Sequence, residues 1–184
     1  MAPSALLDLS ARGTGLAYGG YTIQLPTGKY IGRADFETQI YAPKPIIVRD
    51  TPYVWTVKPF VNKAGKKHYN LIAGAAAGKW TAEGNKVYAF AAPVSGQSKA
   101  TDLVLQKAHN GYYIKQANET IAGNAKSGAW YVHKQDEFSP VLAGGKGASK
   151  AVPFSFVAQI PIEGPGGIAR DVDSVPGPVQ IEIV

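Results

Sequence analysis

The chain has no cysteine and a single methionine among its 184 residues. Without thiols there is neither a disulfide framework nor a thiolate metal site, so packing alone must supply stability. Charged residues are few, 17% against 45% hydrophobic, a balance that excludes a wholly disordered chain. Long apolar runs are missing: none approaches the ~18 residues a membrane span needs, and no membrane partner is expected. The opening Met1-Ala2-Pro3-Ser4-Ala5-Leu6-Leu7-Asp8 lacks a basic n-region, and Asp8 interrupts its apolar stretch. The expectation is therefore no signal peptide, and a cytoplasmic protein or one released by a non-classical route. Asn118-Glu119-Thr120 fits the glycosylation sequon, which such a protein leaves unmodified.

Catalytic signatures are absent as well. No serine has glycines at both flanking positions of a nucleophile elbow. Gly74-Ala75-Ala76-Ala77-Gly78-Lys79-Trp80 falls one residue short of a phosphate-binding loop and carries Trp80 where Ser or Thr would hold magnesium. Gly13-Thr14-Gly15 and Gly144-Gly145-Lys146-Gly147 lack the strand-to-helix setting of a dinucleotide fingerprint. His68, His109 and His133 stand singly, and the acid pairs Asp136-Glu137 and Asp171-x-Asp173 have no third ligand. No catalytic residue, metal or cofactor is expected.

Glycine (21) and proline (13) are plentiful, scattered between short β-branched and aromatic runs, which predicts many turns. The first set of runs is Tyr21–Leu25, Tyr30–Arg33, Ile46–Arg49 and Tyr53–Lys58; the second is Tyr69–Ile72, Lys79–Thr81, Val87–Ala91 and Asp102–Lys107. The third is Tyr112–Gln116, Thr120–Ala122, Trp130–His133 and Pro153–Gln159. Tyr21 to Trp55 and Tyr69 to Leu103 span equal separations, and the third set is longer by the glycine-rich insertion Ala143–Lys150. Twelve strands in three pseudo-repeats predict an all-β fold, a β-trefoil, with Tyr21, Ile23, Trp55, Val57, Leu71, Leu103, Leu105, Ile114, Phe154 and Phe156 filling the barrel. The division expected is an N-terminal arm over 1–18, the β-trefoil domain over 19–162 and a Gly/Pro-rich tail over 163–184. The tail's alternating Val179-Gln180-Ile181-Glu182-Ile183-Val184 leaves an edge strand, a docked segment and a flexible end all open.

Tyr30-Ile31-Gly32-Arg33, then Pro43-Lys44-Pro45-Ile46-Ile47-Val48, then Tyr53-Val54-Trp55-Thr56-Val57 resemble the β-trefoil serine-protease inhibitors of mushrooms, the cospin type. The detailed match covers roughly 19–58; beyond it only the strand rhythm agrees. The resemblance implies inhibition by a loop between the second and third strands that enters a protease active site. Here the loop is Asp35, Phe36, Glu37, Thr38, Gln39, Ile40 and Tyr41, starting at Ala34, ending at Ala42 and bounded by Arg33 and Lys44. No lysine or arginine lies inside it, so Tyr41 or Phe36 would fill an apolar pocket, pointing to chymotrypsin-like or subtilisin-like serine proteases rather than to trypsin.

Two other partners follow from composition. A carbohydrate-binding lectin would need aromatic shelves, for which Trp80, Trp130 and Tyr88 are candidates, although no Gln-x-Trp signature occurs. A polyanion binder would draw on the net charge of +6 and pI near 9.4. That charge is diffuse, and its one run, Lys63-Ala64-Gly65-Lys66-Lys67-His68, reads as a solvated hairpin tip, so nucleic acid is not the expected partner.

Overall fold

A computed structural model describes residues 15–35, 42–92, 94–96, 101–119 and 126–159. Among them are twelve strands: β1 (Gly19–Gln24), β2 (Tyr30–Arg33), β3 (Lys44–Arg49), β4 (Val54–Val61), β5 (Lys67–Ile72), β6 (Ala76–Trp80), β7 (Lys86–Phe90), β8 (Leu103–Ala108), β9 (Gly111–Gln116), β10 (Trp130–Val132), β11 (Val141–Ala143) and β12 (Ser155–Ala158). Only short 3-10 turns accompany them, at Thr81–Glu83, Ala117–Glu119 and Lys146–Lys150. The all-β class follows from the period-two pattern. In β4, Trp55 and Val57 point inward while Val54 and Lys58 face solvent, and Tyr69 and Leu71 of β5 alternate in the same way.

Antiparallel ladders run from β1 to β4, then through β5, β6, β7, β3 and β2 back to β1. These seven strands close an antiparallel barrel, which leaves few strand edges unpaired. The remaining five attach to it. β8 meets β5 at Leu103 opposite Tyr69 and pairs along its length with β9. β12 lies along β1 from Gln24↔Ser155 to Tyr21↔Ala158, and Tyr112 and Phe154 exchange two backbone hydrogen bonds of 2.9 Å. β11 pairs with β10 and touches the ring through Leu142↔Lys86.

The expected β-trefoil is corrected here: the fold is a closed seven-stranded antiparallel barrel with extra strands. Equal spacing along a sequence reports how often strands recur, not which edges they share. The pairing is unequal between the sets: β2–β3 has four paired positions and β6–β7 has five, whereas β10–β11 has three and adds only single contacts elsewhere. The strand inventory also shifts. β11 arises at the edge of the supposed glycine-rich insertion, and Thr120–Ala122 lies outside the described residues.

Of the ten expected core residues nine are buried, and Phe156 is partly buried, packing edge-on against Tyr112 and Tyr21. Two fully buried tryptophans meet at the centre, Trp55 and Trp130, with ring centroids 6.4 Å apart. Each indole N–H finds an acceptor: Trp55 Nε1 donates to Ile31 O at 2.8 Å and Trp130 Nε1 to Gln116 Oε1 at 2.9 Å. This pairing offsets the cost of taking their polar atoms out of water. Ahead of β1, Leu16 packs on the same core and its N–H donates to the Tyr69 hydroxyl. Residues 1–14 and the tail over 163–184 are outside the described residues.

Candidate functional site

The β2–β3 connection leaves the barrel at Arg33 and returns at Lys44. Of the expected contact residues, Arg33, Asp35 and Lys44 are placed; Phe36, Glu37, Thr38, Gln39, Ile40 and Tyr41 lie outside the described residues. Arg33 is half-buried and its guanidinium packs on the backbone of Gly74, a residue with φ of 78° that leaves no room for a Cβ. Lys44 is half-buried too, held in register opposite Ala89 of β7. Neither flank is displayed as an exposed pocket-filling cation. Asp35 is different, with its side chain 70% exposed.

Two ties hold the base of the connection. Ala34, itself buried, donates its N–H to Pro45 O at 2.9 Å and closes the stem across β2 and β3. Arg49, at the end of β3, reaches back along the stem: Nη1 donates to Arg33 O at 2.7 Å and stands 3.0 Å from Asp35 Oδ2, while Nη2 donates to Thr51 Oγ1. Its guanidinium lies over the Tyr53 ring at 5.3 Å, and Nε is buried without a hydrogen-bond partner among the described residues. Sequence reasoning missed Arg49, which reads as an ordinary strand-end charge; the signal was a cation directly after the buried run Ile46-Ile47-Val48.

Arg49 and Asp35 also line a concavity of about 420 Å³ with Ile47, Thr51, Glu137 and Phe138. The far wall is the β10–β11 connection, which crosses the outside of β3. Phe138 N–H donates to Val48 O and Val48 N–H to Ser139 O, both at 2.8 Å, and Pro140 bridges Ile47. That crossing explains why Ile47, on the outward face of β3, is only 5% exposed. Thr27 Oγ1 donates to Gln135 Oε1 at 2.8 Å, bringing the β1–β2 turn alongside. Nearby Lys29 is held charged above its usual range, first by its hydrogen bond to Asp50 and also by the fields of Asp136 and Glu137.

The other candidates take bland positions. Trp130 is fully buried and cannot form a sugar shelf. Trp80 packs edge-on against Tyr88 and Phe90 at 5.0 and 5.7 Å and donates its indole N–H to Ser95 O. His109 and His133 are exposed and apart, while His68 sits edge-on to Phe60. Asp136 and Glu137 are exposed turn residues, Asp171 and Asp173 fall outside the described residues, and among the described residues no three acids or histidines gather as metal ligands. The Lys63–His68 run is a hairpin tip, with Asn62 Oδ1 accepting from Ala64 N and Lys66 N and Gly65 at φ of 79°.

No protein-family model and no curated protein sequence matches the chain. Solved structures do. A salivary protein from Culex quinquefasciatus of the Cysteine and Tryptophan-Rich family superposes with a TM-score of 0.57 at 12% identity, covering 79% of this chain and 97% of its own. A proteinase inhibitor from Coprinopsis cinerea gives 0.56 at 16% identity, over 79% of this chain and 100% of that one. A further Culex quinquefasciatus salivary protein of the same family gives 0.53 at 10% identity, over 79% and 96%. At these identities the likeness is one of fold. The resemblance noted in the sequence thus has a structural counterpart in a proteinase inhibitor, without reaching the cospin type. The neighbours are an inhibitor and salivary proteins, and none of their names mentions a sugar.

Proposed function

We propose that the chain is a protease inhibitor that presents the β2–β3 connection to the active site of a serine protease. The observation that carries this reading is the clamped stem: Ala34 N–H to Pro45 O, and Arg49 to both Arg33 O and Asp35. An inhibitory loop has to be ordered before it binds, because ordering it on binding costs affinity. A closed barrel that ties the base of the connection at two points fixes where the connection leaves and re-enters the sheet, which supports that requirement. The inhibitor from Coprinopsis cinerea, whose whole chain superposes on this one, supports the same direction.

The target has an apolar primary pocket. Trypsin-like pockets present an acid and select lysine or arginine, and no basic residue lies between Asp35 and Ala42. Phe36 and Tyr41 are the side chains of suitable size, which points to a chymotrypsin-like or subtilisin-like enzyme. The test is a panel of trypsin, chymotrypsin and subtilisin titrated with the purified protein. Inhibition of chymotrypsin or subtilisin, weakened by Phe36→Ala or Tyr41→Ala, is expected. No inhibition of any of the three removes the proposal.

A further inference from the structure

The net charge of +6 is spread along the sequence, but the fold gathers part of it. Residues 51–82 and 103–118 contain lysines and no aspartate, glutamate or arginine. They include the β4–β5 and β8–β9 hairpins, which pair from Thr56↔Ile72 to Val61↔Lys67 and from Leu103↔Gln116 to Ala108↔Gly111. β5 and β8 run antiparallel and meet at Tyr69↔Leu103. From that shared position, stepping back along β5 to Lys67 leads the same way as stepping forward along β8 to Lys107. The two hairpin turns therefore project from one end of the sheet. Lys58, Lys63, Lys66, Lys67 and Lys107 are exposed on these hairpins.

The array is ordered in advance. Asn62 Oδ1 accepts from Ala64 N–H and Lys66 N–H, Asn62 N–H donates to Lys66 O at 2.8 Å, and Gly65 takes the left-handed position of the turn. Lys107 Nζ lies over the Tyr112 ring at 4.9 Å and Lys67 Nζ over the Tyr69 ring at 5.9 Å. A surface that serves solubility alone intersperses both signs, whereas a field of one sign draws in polyanions. We infer that the paired β4–β5 and β8–β9 hairpins bind a linear sulfated polysaccharide, with lysines of both turns on its sulfates. Lysine is a compact point charge suited to a row of separate anionic groups. Single-stranded nucleic acid asks for open aromatic faces on which bases stack, and here Tyr69 is buried while Lys107 and Phe156 occupy the Tyr112 ring. An anionic membrane asks for an apolar face to bury, and Val61 is the one large apolar side chain exposed at the β4–β5 tip. Neither hairpin contributes a residue to the β2–β3 connection, so this surface stands apart from the inhibitor reading.

The test passes the full chain over immobilised heparin and titrates it with a heparin oligosaccharide at low salt, beside desulfated heparin, single-stranded DNA and phosphatidylserine vesicles. Retention on heparin that falls steeply with salt is expected, with no binding to the desulfated form. Lys66→Gln combined with Lys107→Gln, one from each hairpin, should weaken binding roughly 30-fold, about fivefold for each lysine–sulfate contact. Lys134→Gln combined with Lys150→Gln makes the same change in net charge at exposed lysines outside both hairpins. Screening should hold its effect to less than about twofold. Melting temperatures confirm that both variants are folded. If the two double variants weaken binding equally, net charge and not the hairpin pair holds the polymer, and the inference falls. It falls as well if heparin does not retain the parent, or if DNA or the vesicles bind it more tightly than heparin does.

Discussion

Replacing Arg49 with methionine tests whether the stem is a working part of the site. Methionine keeps most of the apolar stem that packs along Tyr53 and removes the guanidinium. The charge-assisted hydrogen bond to Arg33 O is worth about 1.5–3 kcal/mol. The contact over Tyr53 adds about 0.5–1 kcal/mol. The Asp35 pair, with its carboxylate side chain 70% exposed, adds under about 1 kcal/mol after solvent screening. Against these stands the buried, unpartnered Nε, whose desolvation penalty of about 1–3 kcal/mol disappears with the group. The net loss is about 1–2 kcal/mol, which lowers the melting temperature of a domain this size by about 2–8 °C. Inhibition should suffer separately, because the freed connection must be ordered on binding; one such tie corresponds to roughly tenfold weaker inhibition. Calorimetry and inhibition constants on Arg49→Met and Arg49→Lys measure both effects, with lysine intermediate. An Arg49→Met protein of reduced stability that inhibits as tightly as the parent would refute the idea that the clamp preorganises the connection.

Tyr41→Ala is expected to weaken inhibition of chymotrypsin or subtilisin while leaving the melting temperature in place, readable by pairing inhibition assays with thermal scans. Trp130→Phe removes the donor to Gln116 Oε1, an atom of a side chain with no solvent exposure, and should cost about 2–3 kcal/mol in urea unfolding. Burial raises the phenols of Tyr69, Tyr21 and Tyr88 above the ordinary value of 10.0. The folded protein then holds protons that the unfolded chain has released, so these groups contribute stability that is intact below pH 10 and lost as pH climbs through their raised values. Alkaline urea melts should show that decline, and a stability that stays level above pH 10 would contradict it.

Strand content was legible because burial on a sheet alternates and this chain alternates: Trp55/Val57 and Leu103/Leu105 could be assigned inward from the pattern alone. Closure was not. Which edges meet depends on contacts such as Lys44↔Ala89 and Pro45↔Tyr88, two pairs between residues far apart in the chain that leave no periodic trace. The candidate site was half readable. Arg33, Asp35 and Lys44 are placed at the stem, and both flanking cations are occupied by packing and pairing. Arg49 was invisible because its role comes from partners that the fold brings to it, Arg33 O, Asp35 and the Tyr53 ring. Asp136-Glu137-Phe138-Ser139-Pro140 reads as a polar turn, and nothing local reveals that its backbone is stitched to Val48.

The β1–β12 ladder has a consequence for how the molecule is made. β1 is paired with β4 and β2 and, along Tyr21–Gln24, with β12, which among the described residues is the last strand to leave the ribosome. Until then the β12-facing edge of β1 waits uncovered, a template for mispairing with a neighbouring nascent chain. A permuted gene that begins at β12 and runs straight into β1 would turn that late encounter into a hairpin between adjacent strands, and such a protein should mature faster and aggregate less.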